Sequence, residues 1–293
     1  MLIYRVRQRT YPRYPHPQQA IASMGWRTHS GVAGCASVSG ATSNAERSYT
    51  AAVLDELRIA VIIPAYNEAV RLRSLIGSIP RDLVDDIIVI NDESTDGTGD
   101  VGREFGALVI DHPVRTGPGP AIRDALDLVR DGAGCKADVV VVMAANGKHD
   151  PVQIIDLVRP IVEERYDLVR GSRFVDGGMH VHMPWHRLQL IKLFTVLTRL
   201  ALRQRITDAT GGYQAYRLSV LEDPAINLHQ PWLGRYEVET YLMAKTIMRG
   251  YRWKEVPVNI TYPESGTYTR ARVIRDWWGY FRPILLLRLR LKH

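Results

Sequence analysis

Three stretches of the chain gather residue types that handle heterocycles and anions. The first, VIIPAYNEAVRL, ends an apolar run at Pro64, offers the ring of Tyr66 as a flat surface for a base or ribose, and places Glu68 where a carboxylate accepts ring or ribose hydrogen bonds. The same residues have a plainer use, since Asn67 caps a helix well and Glu68 favours its first turn. The second, IIVINDESTDGTGD, carries Asp92 at the end of another apolar run, where a nucleobase or sugar would meet it. Ser94 follows as a natural helix cap, and Asp96 suits either purpose. The third, VVVVMAANGKHDP, is an apolar run that ends in a small polar turn, with Asp150-Pro151 as N-cap and first helical residue of the next segment. It has the frame of a metal-binding turn. Yet Ala144, Ala145 and Asn146 stand where carboxylates would coordinate an ion, and Lys148 adds a positive charge.

Such residues need strands and helices to hold them. From Leu57 onward, apolar runs alternate with segments of helical period, separated by Gly, Pro, Asn and Asp, which is the βαβ signature. Strands are predicted at 58–63, 86–91, 107–111, 138–144 and 167–170, with helices near 67–79, 95–105, 118–131 and 151–164. Continuous Val/Ile runs suit a parallel sheet covered on both faces, and such sheets bind ligands at the carboxyl ends of their strands. The loops after the first, second and fourth strands are therefore the places for chemistry. Beyond residue 175 the pattern loosens into a long apolar segment studded with Arg and Lys at 184–206, a helix near 236–249, a strand near 253–260 and an apolar, basic end at 271–293.

Taken in their joint order, PAYNE, NDESTDGT, GPGPAIR, GSRF and DATGGYQAYR, spread over residues 58–270, resemble the inverting glycosyltransferases of family 2, above all the branch of dolichyl-phosphate and polyprenyl-phosphate hexose synthases. The resemblance implies a GT-A, Rossmann-like α/β fold: a mostly parallel sheet flanked by helices, with C-terminal amphipathic helices. It implies transfer of a hexose or N-acetylhexosamine from a GDP- or UDP-linked donor to a polyprenyl or dolichyl phosphate. Pro64, Tyr66 and Glu68 would line the nucleotide pocket, Asp92 would contact the base, and Ala144, Ala145 and Asn146 would face the donor. The acid that the family places before Asp92 is Asn91 here, and its usual lysine is Pro118.

The departure at 144–148 is larger. There the branch presents Asp-x-Asp with a nearby Gln or similar ligand, holding Mg²⁺ or Mn²⁺ against the donor diphosphate, and this chain presents Ala144, Asn146 and Lys148. Ala coordinates nothing and Asn supplies only an amide oxygen, so a conventional metal site is not expected. Two readings follow: Lys148 holds the diphosphate directly and transfer is metal-independent, or the chain binds nucleotide-sugars without turnover. On the acceptor side the resemblance puts Arg173 against the acceptor phosphate, with Arg187 as a second candidate. Tyr268, Arg270 and Arg272 fall in a segment similar to a mobile loop near the acceptor in relatives. Asp208 stands near the active site, either as the base for a hydroxyl acceptor or as the cap of the following turn. A soluble hydroxyl acceptor is the rival within the class, and a catalytically silent nucleotide-sugar-binding protein the rival outside it.

Bulk properties agree. With 293 residues, 46% of them apolar, the chain can build one large α/β domain with appendages. We divide it into a disordered extension at 1–56, a glycosyltransferase domain at 57–270 and a C-terminal amphipathic helix at 271–293. The extension begins with residues 1–45, which lack Asp and Glu and carry Arg5, Arg7, Arg9, Arg13 and Arg27. That composition formally resembles a transit peptide, but fits better a plain disordered tail or an extension from an upstream start codon. The formal charge of +7 points to an anionic partner. Nucleic acid is set aside, because the basic residues sit on apolar helices rather than among exposed aromatics. Segments 184–206 and 283–293 suit a bilayer interface, with Trp277 and Trp278 as headgroup anchors, or a core helix with outward-reaching basic side chains, or a homodimer contact. Cys35 and Cys135 form neither a disulfide framework nor a zinc site, and no apolar run is long enough to span a bilayer. The expected location is cytoplasmic and peripheral, on the cytoplasmic membrane face.

Overall fold

Apolar runs without polar alternation are satisfied only as strands buried on both faces, and the chain uses them so. The computed structural model describes residues 57–262 and 273–292. The expectations for 1–56, for Tyr268, Arg270 and Arg272, and for the side chain of Trp277 lie outside the described residues and side chains. Strands β1 (Ile59–Ala65), β2 (Asp86–Asp92), β3 (Leu108–His112), β4 (Val139–Val142), β5 (Leu168–Ser172), β7 (Gln214–Arg217) and β8 (Trp253–Pro257) form one sheet in the order β3-β2-β1-β4-β7-β5-β8. Every neighbouring pair is parallel except the two made by β7, which runs antiparallel to both β4 and β5. Two short strands, β6 (Met179–Val181) and β9 (Asn259–Thr261), pair in parallel beside it.

The period of two along each strand divides the core. Ala60, Ile62, Ile88, Val140 and Tyr216 point to one face, where they meet Ile122 of α3 (Pro118–Asp131), Phe194 of α5 (Trp185–Leu202), Tyr241 of α7 (Glu237–Met248) and Ile284 of α8 (Val273–Arg288). Ile59, Val61, Ile87, Val141 and Val169 point to the other, against Leu72 of α1 (Ala69–Gly77), Val101 of α2 (Thr98–Glu104) and Leu157 of α4 (Ile154–Glu163). A four-residue helix, α6 (Leu218–Leu221), follows β7. The C-terminal segment packs as a covering helix: Ile284 and Leu287 are buried, and Phe281 meets Phe194 edge to face with ring centres 6.0 Å apart.

The first two loops are stitched to one another, and Asp96 of the second also holds the start of its own helix. Asn67, at φ 51° in the left-handed region that Asn tolerates, donates its N–H to Ser94 Oγ (3.0 Å) and accepts from the Thr95 N–H at Oδ1 (2.8 Å). The Glu68 N–H donates to Thr98 Oγ1, and the Ala69 N–H to Asp96 Oδ2, each at 3.0 Å. The open donors at the start of α1 are thus met across the β2–α2 loop. Ser94 does not cap α2, whose N-cap is Gly97 at φ 81°. Asp96→Ala should remove the bond to Ala69 and those to the Thr98 N–H and hydroxyl. The expected loss is about 1 kcal/mol in urea unfolding with an unchanged m-value; an unchanged midpoint would show that the stitching is idle.

Candidate active site

A cavity opens at the carboxyl edge of the sheet, and the strand order sets what borders it. Neighbouring β1, β4, β7 and β5 bring together the β1–α1 loop, the turn after β4, the residues leading into β7 and the end of β5. Because β7 runs antiparallel and Gln214 pairs with Val142, the segment 208–213 is delivered to this edge as a strap between β4 and β5. Pro64, Tyr66, Glu68, Lys148, Arg173 and Arg187 all line the cavity, as do Ala144, Ala145, Asn146 and Asp208.

Asp92 does not. It is buried, with Oδ1 accepting from the Thr116 N–H (2.8 Å) and hydroxyl (2.9 Å) and Oδ2 from the Gly117 N–H (2.8 Å); His112 Nδ1 lies 3.3 Å from Oδ1. Burial alone would raise this carboxyl, but those hydrogen bonds outweigh it and hold it below the usual carboxylate range. Asp92 therefore shapes the β3–α3 loop instead of facing a base. That loop places Arg115 over Tyr66, its guanidinium carbon 3.7 Å from the ring centre, on the aromatic surface the sequence offered to a base or ribose. Glu68 is ion-paired with Arg71 at 2.6 Å.

The turn after β4 keeps its frame through hydrogen bonds of its own. The Ala144 N–H donates to His149 Nδ1 (3.2 Å), the Lys148 N–H to Asn146 Oδ1 (3.2 Å), and the Val152 N–H to Asp150 Oδ1 (3.0 Å). His149 stacks on Tyr213 at 4.7 Å and 5°, and the Tyr213 hydroxyl donates to the Asp150 carbonyl (2.9 Å). Burial, with Lys148 and Arg173 nearby, pushes His149 down to about 3, so its ring is neutral and acts as an acceptor. This donor set does not fit Mg²⁺ or Mn²⁺, which demand several oxygen ligands. Ala144 offers a methyl group, the Asn146 oxygen is taken by a backbone N–H, Lys148 is a cation, and among the described residues no three acidic, His or Cys side chains cluster as ligands.

Arg173 and Asp208 form a buried pair. Arg173 Nε and Nη2 bind the two Asp208 oxygens at 2.6 and 2.7 Å, Nη2 also reaches Thr210 Oγ1 (2.6 Å), and Nη1 binds the Tyr262 hydroxyl. Burial opposes the charge on Asp208, yet Arg173 outweighs it and keeps the carboxyl below its ordinary value. Four of the five Arg173 N–H groups are thus engaged inside the protein, although the side chain lines the cavity. Asp208 is its counterion rather than a proton acceptor. Lys148 and Arg187 remain. Lys148 Nζ and the Arg187 guanidinium carbon each lie 5.4 Å from the centre of the Tyr262 ring. Burial first, then the charges of Arg187 and Arg173, push Lys148 down to about 7, with Glu68 acting the other way.

Two further wall residues, Arg170 and Glu239, carry no local cue, since one lies inside a strand and the other reads as an ordinary first-turn acid of α7. Arg187 lies in the first turn of α5, which is tied to the strap by the Ala209 N–H donating to Thr195 Oγ1 (3.2 Å) and to the segment just ahead of it by Arg199 donating to the Ile206 carbonyl. The outward face of α5 mixes large apolar side chains, Trp185 73% and Leu200 70% exposed beside Leu193 and Val196, with exposed His186, Gln189, Lys192 and Arg199.

The family model described as glycosyl transferase family 2 matches residues 60–223. The chain is 34% identical over 216 residues to the polyprenol monophosphomannose synthase of Mycolicibacterium smegmatis, a match covering 71% of this chain and 79% of that protein. It is 33% identical over 217 residues to the undecaprenyl-phosphate mannosyltransferase of Micrococcus luteus, covering 72% and 86% respectively. Among solved structures, glucosyl-3-phosphoglycerate synthase from Mycobacterium tuberculosis, in complex with Mn²⁺, UDP and glucosyl-3-phosphoglycerate, aligns with a TM-score of 0.61 over 82% of this chain and 83% of that one. At 23% identity this is a likeness of fold, the GT-A fold.

Asp208→Asn should leave the Arg173 guanidinium buried without its counterion, at a cost of about 3–5 kcal/mol in urea unfolding. A depressed folded carboxyl stabilises fully above its unfolded value of about 4 and loses that contribution as pH falls through the folded value. Asp208→Asn should therefore flatten the acid limb of the stability curve. An unchanged midpoint and acid limb would count against the pair as the structural tie.

Proposed function

The chain belongs to glycosyltransferase family 2, and on that premise we propose that it moves a hexose or N-acetylhexosamine, with inversion, from a GDP- or UDP-linked donor to a polyprenyl phosphate. The observation that carries the reading is the pair of cations, Lys148 and Arg187, that share the cavity wall beside Tyr262. Two positive charges on one partly desolvated wall favour an anion beside them, and a diphosphate is such an anion. One unit charge at ~4 Å contributes about 4 kcal/mol at an effective dielectric near 20. Lys148 alone supplies half the charge of a divalent ion and none of its coordination, and Arg187 supplies the second charge.

In this reading an oxygen of the acceptor phosphate attacks the anomeric carbon from the side opposite the donor diphosphate. The bond from that carbon to the diphosphate oxygen breaks as the new one forms, and the electron pair leaves with the nucleoside diphosphate, beside the Lys148 ammonium. The acceptor is already anionic near neutral pH, so no base is required of Asp208. The exposed apolar side chains of α5, the helix that carries Arg187, support a lipid acceptor presented from a membrane surface, with peripheral attachment on its cytoplasmic face. No helix among the described residues is long and apolar enough to cross a membrane.

Three outcomes test this reading. Incubated with GDP- and UDP-sugars and polyprenyl phosphate, the protein should release nucleotide equally well with and without EDTA; loss on chelation with rescue by Mn²⁺ would overturn the role given to Lys148, and donor binding with no release would make the chain a silent binder. Lys148→Gln should weaken donor binding by roughly 10- to 100-fold, the range of a charge-assisted hydrogen bond. Wild-type affinity should fall as pH rises between about 6 and 9, because the free ammonium is lost above about 7 and a bound diphosphate restores it. Calorimetry in buffers of different ionisation enthalpy should therefore record proton uptake near pH 8, absent in Lys148→Gln; the same uptake in both proteins would assign the proton elsewhere.

A further inference from the structure

Beyond the cations, the cavity wall holds a group of polar side chains that the protein itself does not satisfy. Arg170, only 2% exposed, donates from Nη2 to the Gly211 carbonyl (2.9 Å) and weakly from Nε to Gln214 Oε1 (3.4 Å), while its buried Nη1 has no partner among the described residues. Glu239 lines the same cavity, and among the described residues no hydrogen bond or ion pair holds its carboxyl. That carboxyl lies against the strap: a Cβ placed on Gly212 would come within 3.2 Å of Glu239 Oε1, and one on Gly211 within 2.6 Å of the Gly171 carbonyl. The two glycines thus let the strap pass between β5 and the carboxyl of α7. Burial pushes Glu239 up to about 7 despite the opposing charge of Arg170. The buried Tyr216 hydroxyl, also without a partner, feels both groups. Buried polar groups are satisfied in nearly every protein, and exceptions on a cavity wall mark where a ligand or a water belongs.

The sheet order says which part of a ligand comes there. The β1 loop, the β4 turn, the strap and the β5 end stand side by side in that order. A donor with its nucleotide at the β1 loop and its diphosphate at the β4 turn has its sugar over the strap. We infer that Glu239 and Arg170 read the transferred sugar, the guanidinium donating to a hydroxyl that the Glu239 carboxyl accepts from, so that this pair sets which sugar the enzyme takes. A sugar hydroxyl is both donor and acceptor and satisfies both groups at once. The inference rests on the nucleotide-sugar reading above but needs neither turnover nor a lipid acceptor.

The test is equilibrium binding of GDP, UDP and pairs of epimeric GDP- and UDP-sugars to the full chain and to Glu239→Gln and Glu239→Ala, with thermal unfolding as the check on folding. Wild-type protein should bind one nucleotide-sugar more tightly than its nucleoside diphosphate and than its epimer. Both variants should lose about tenfold or more of that discrimination, as expected when a site built to bond a hydroxyl is altered, and bind the bare nucleoside diphosphate as before. Discrimination that survives in both variants overturns the assignment and leaves Glu239 and Arg170 to a buried water. Absence of any nucleotide-sugar binding to wild-type protein overturns the broader functional reading instead, and failure of lipid-phosphate transfer with intact epimer selectivity overturns only the acceptor.

Discussion

The bidentate pair between Arg173 and Asp208 is the tie on which the site's architecture depends. It joins the end of β5 to the first residue of the strap, and the remaining contacts follow from that joint. The Gly211 carbonyl receives Arg170, and the Tyr213 ring at the far end of the strap carries His149. His149 in turn holds the Ala144 N–H, so one series of contacts runs from β5 to the β4 turn. Glu255 fastens the same joint from β8, accepting from the Thr207 and Asp208 N–H groups at 2.6 and 2.9 Å. A buried ion pair adds little net stability over an apolar replacement, but removing one partner is severe, which gives such a tie specificity of position more than strength.

Because that framework is made of protein–protein contacts, the β4 turn stays formed with Ala144 and Asn146 in place of acids. A turn shaped by metal coordination would splay once its ligands were lost. Here the neutral His149 ring, the Asn146 amide and the Asp150 cap close the loop among themselves, and the ammonium of Lys148 projects from a backbone already set. The two cations beside Tyr262 are therefore held in place by the scaffold against their mutual repulsion.

Much of this was legible in the chain. The Val/Ile runs marked β1 to β5 to within a residue or two, and the 118–131 helix was placed by its period, because burial on both faces and helical periodicity leave local signatures. What escaped depends on neighbours distant in sequence. QAYR is too short for a period to show, so β7, the antiparallel intruder that carries the strap to the site, was not foreseen. Asp92 was read toward a nucleobase or sugar and Ser94 as the cap of its own helix, whereas in the structure Asp92 accepts from Thr116 and Gly117 and Ser94 from Asn67. Arg173 looked like an anion grip because its counterion, Asp208, lies 35 residues away. Lys148, Tyr66 and Glu68 line the cavity from the loops after β4 and β1, which the strand pattern marked as the places for chemistry.

The bond between Thr195 and Ala209 fastens the middle of α5 to the strap, and Arg199 adds a second fixing one turn further on. Helix and strap are thus joined beside the buried Phe194. A load borne by the outer side of α5 would therefore reach the cavity wall through a hydrogen bond at mid-helix rather than through a loop.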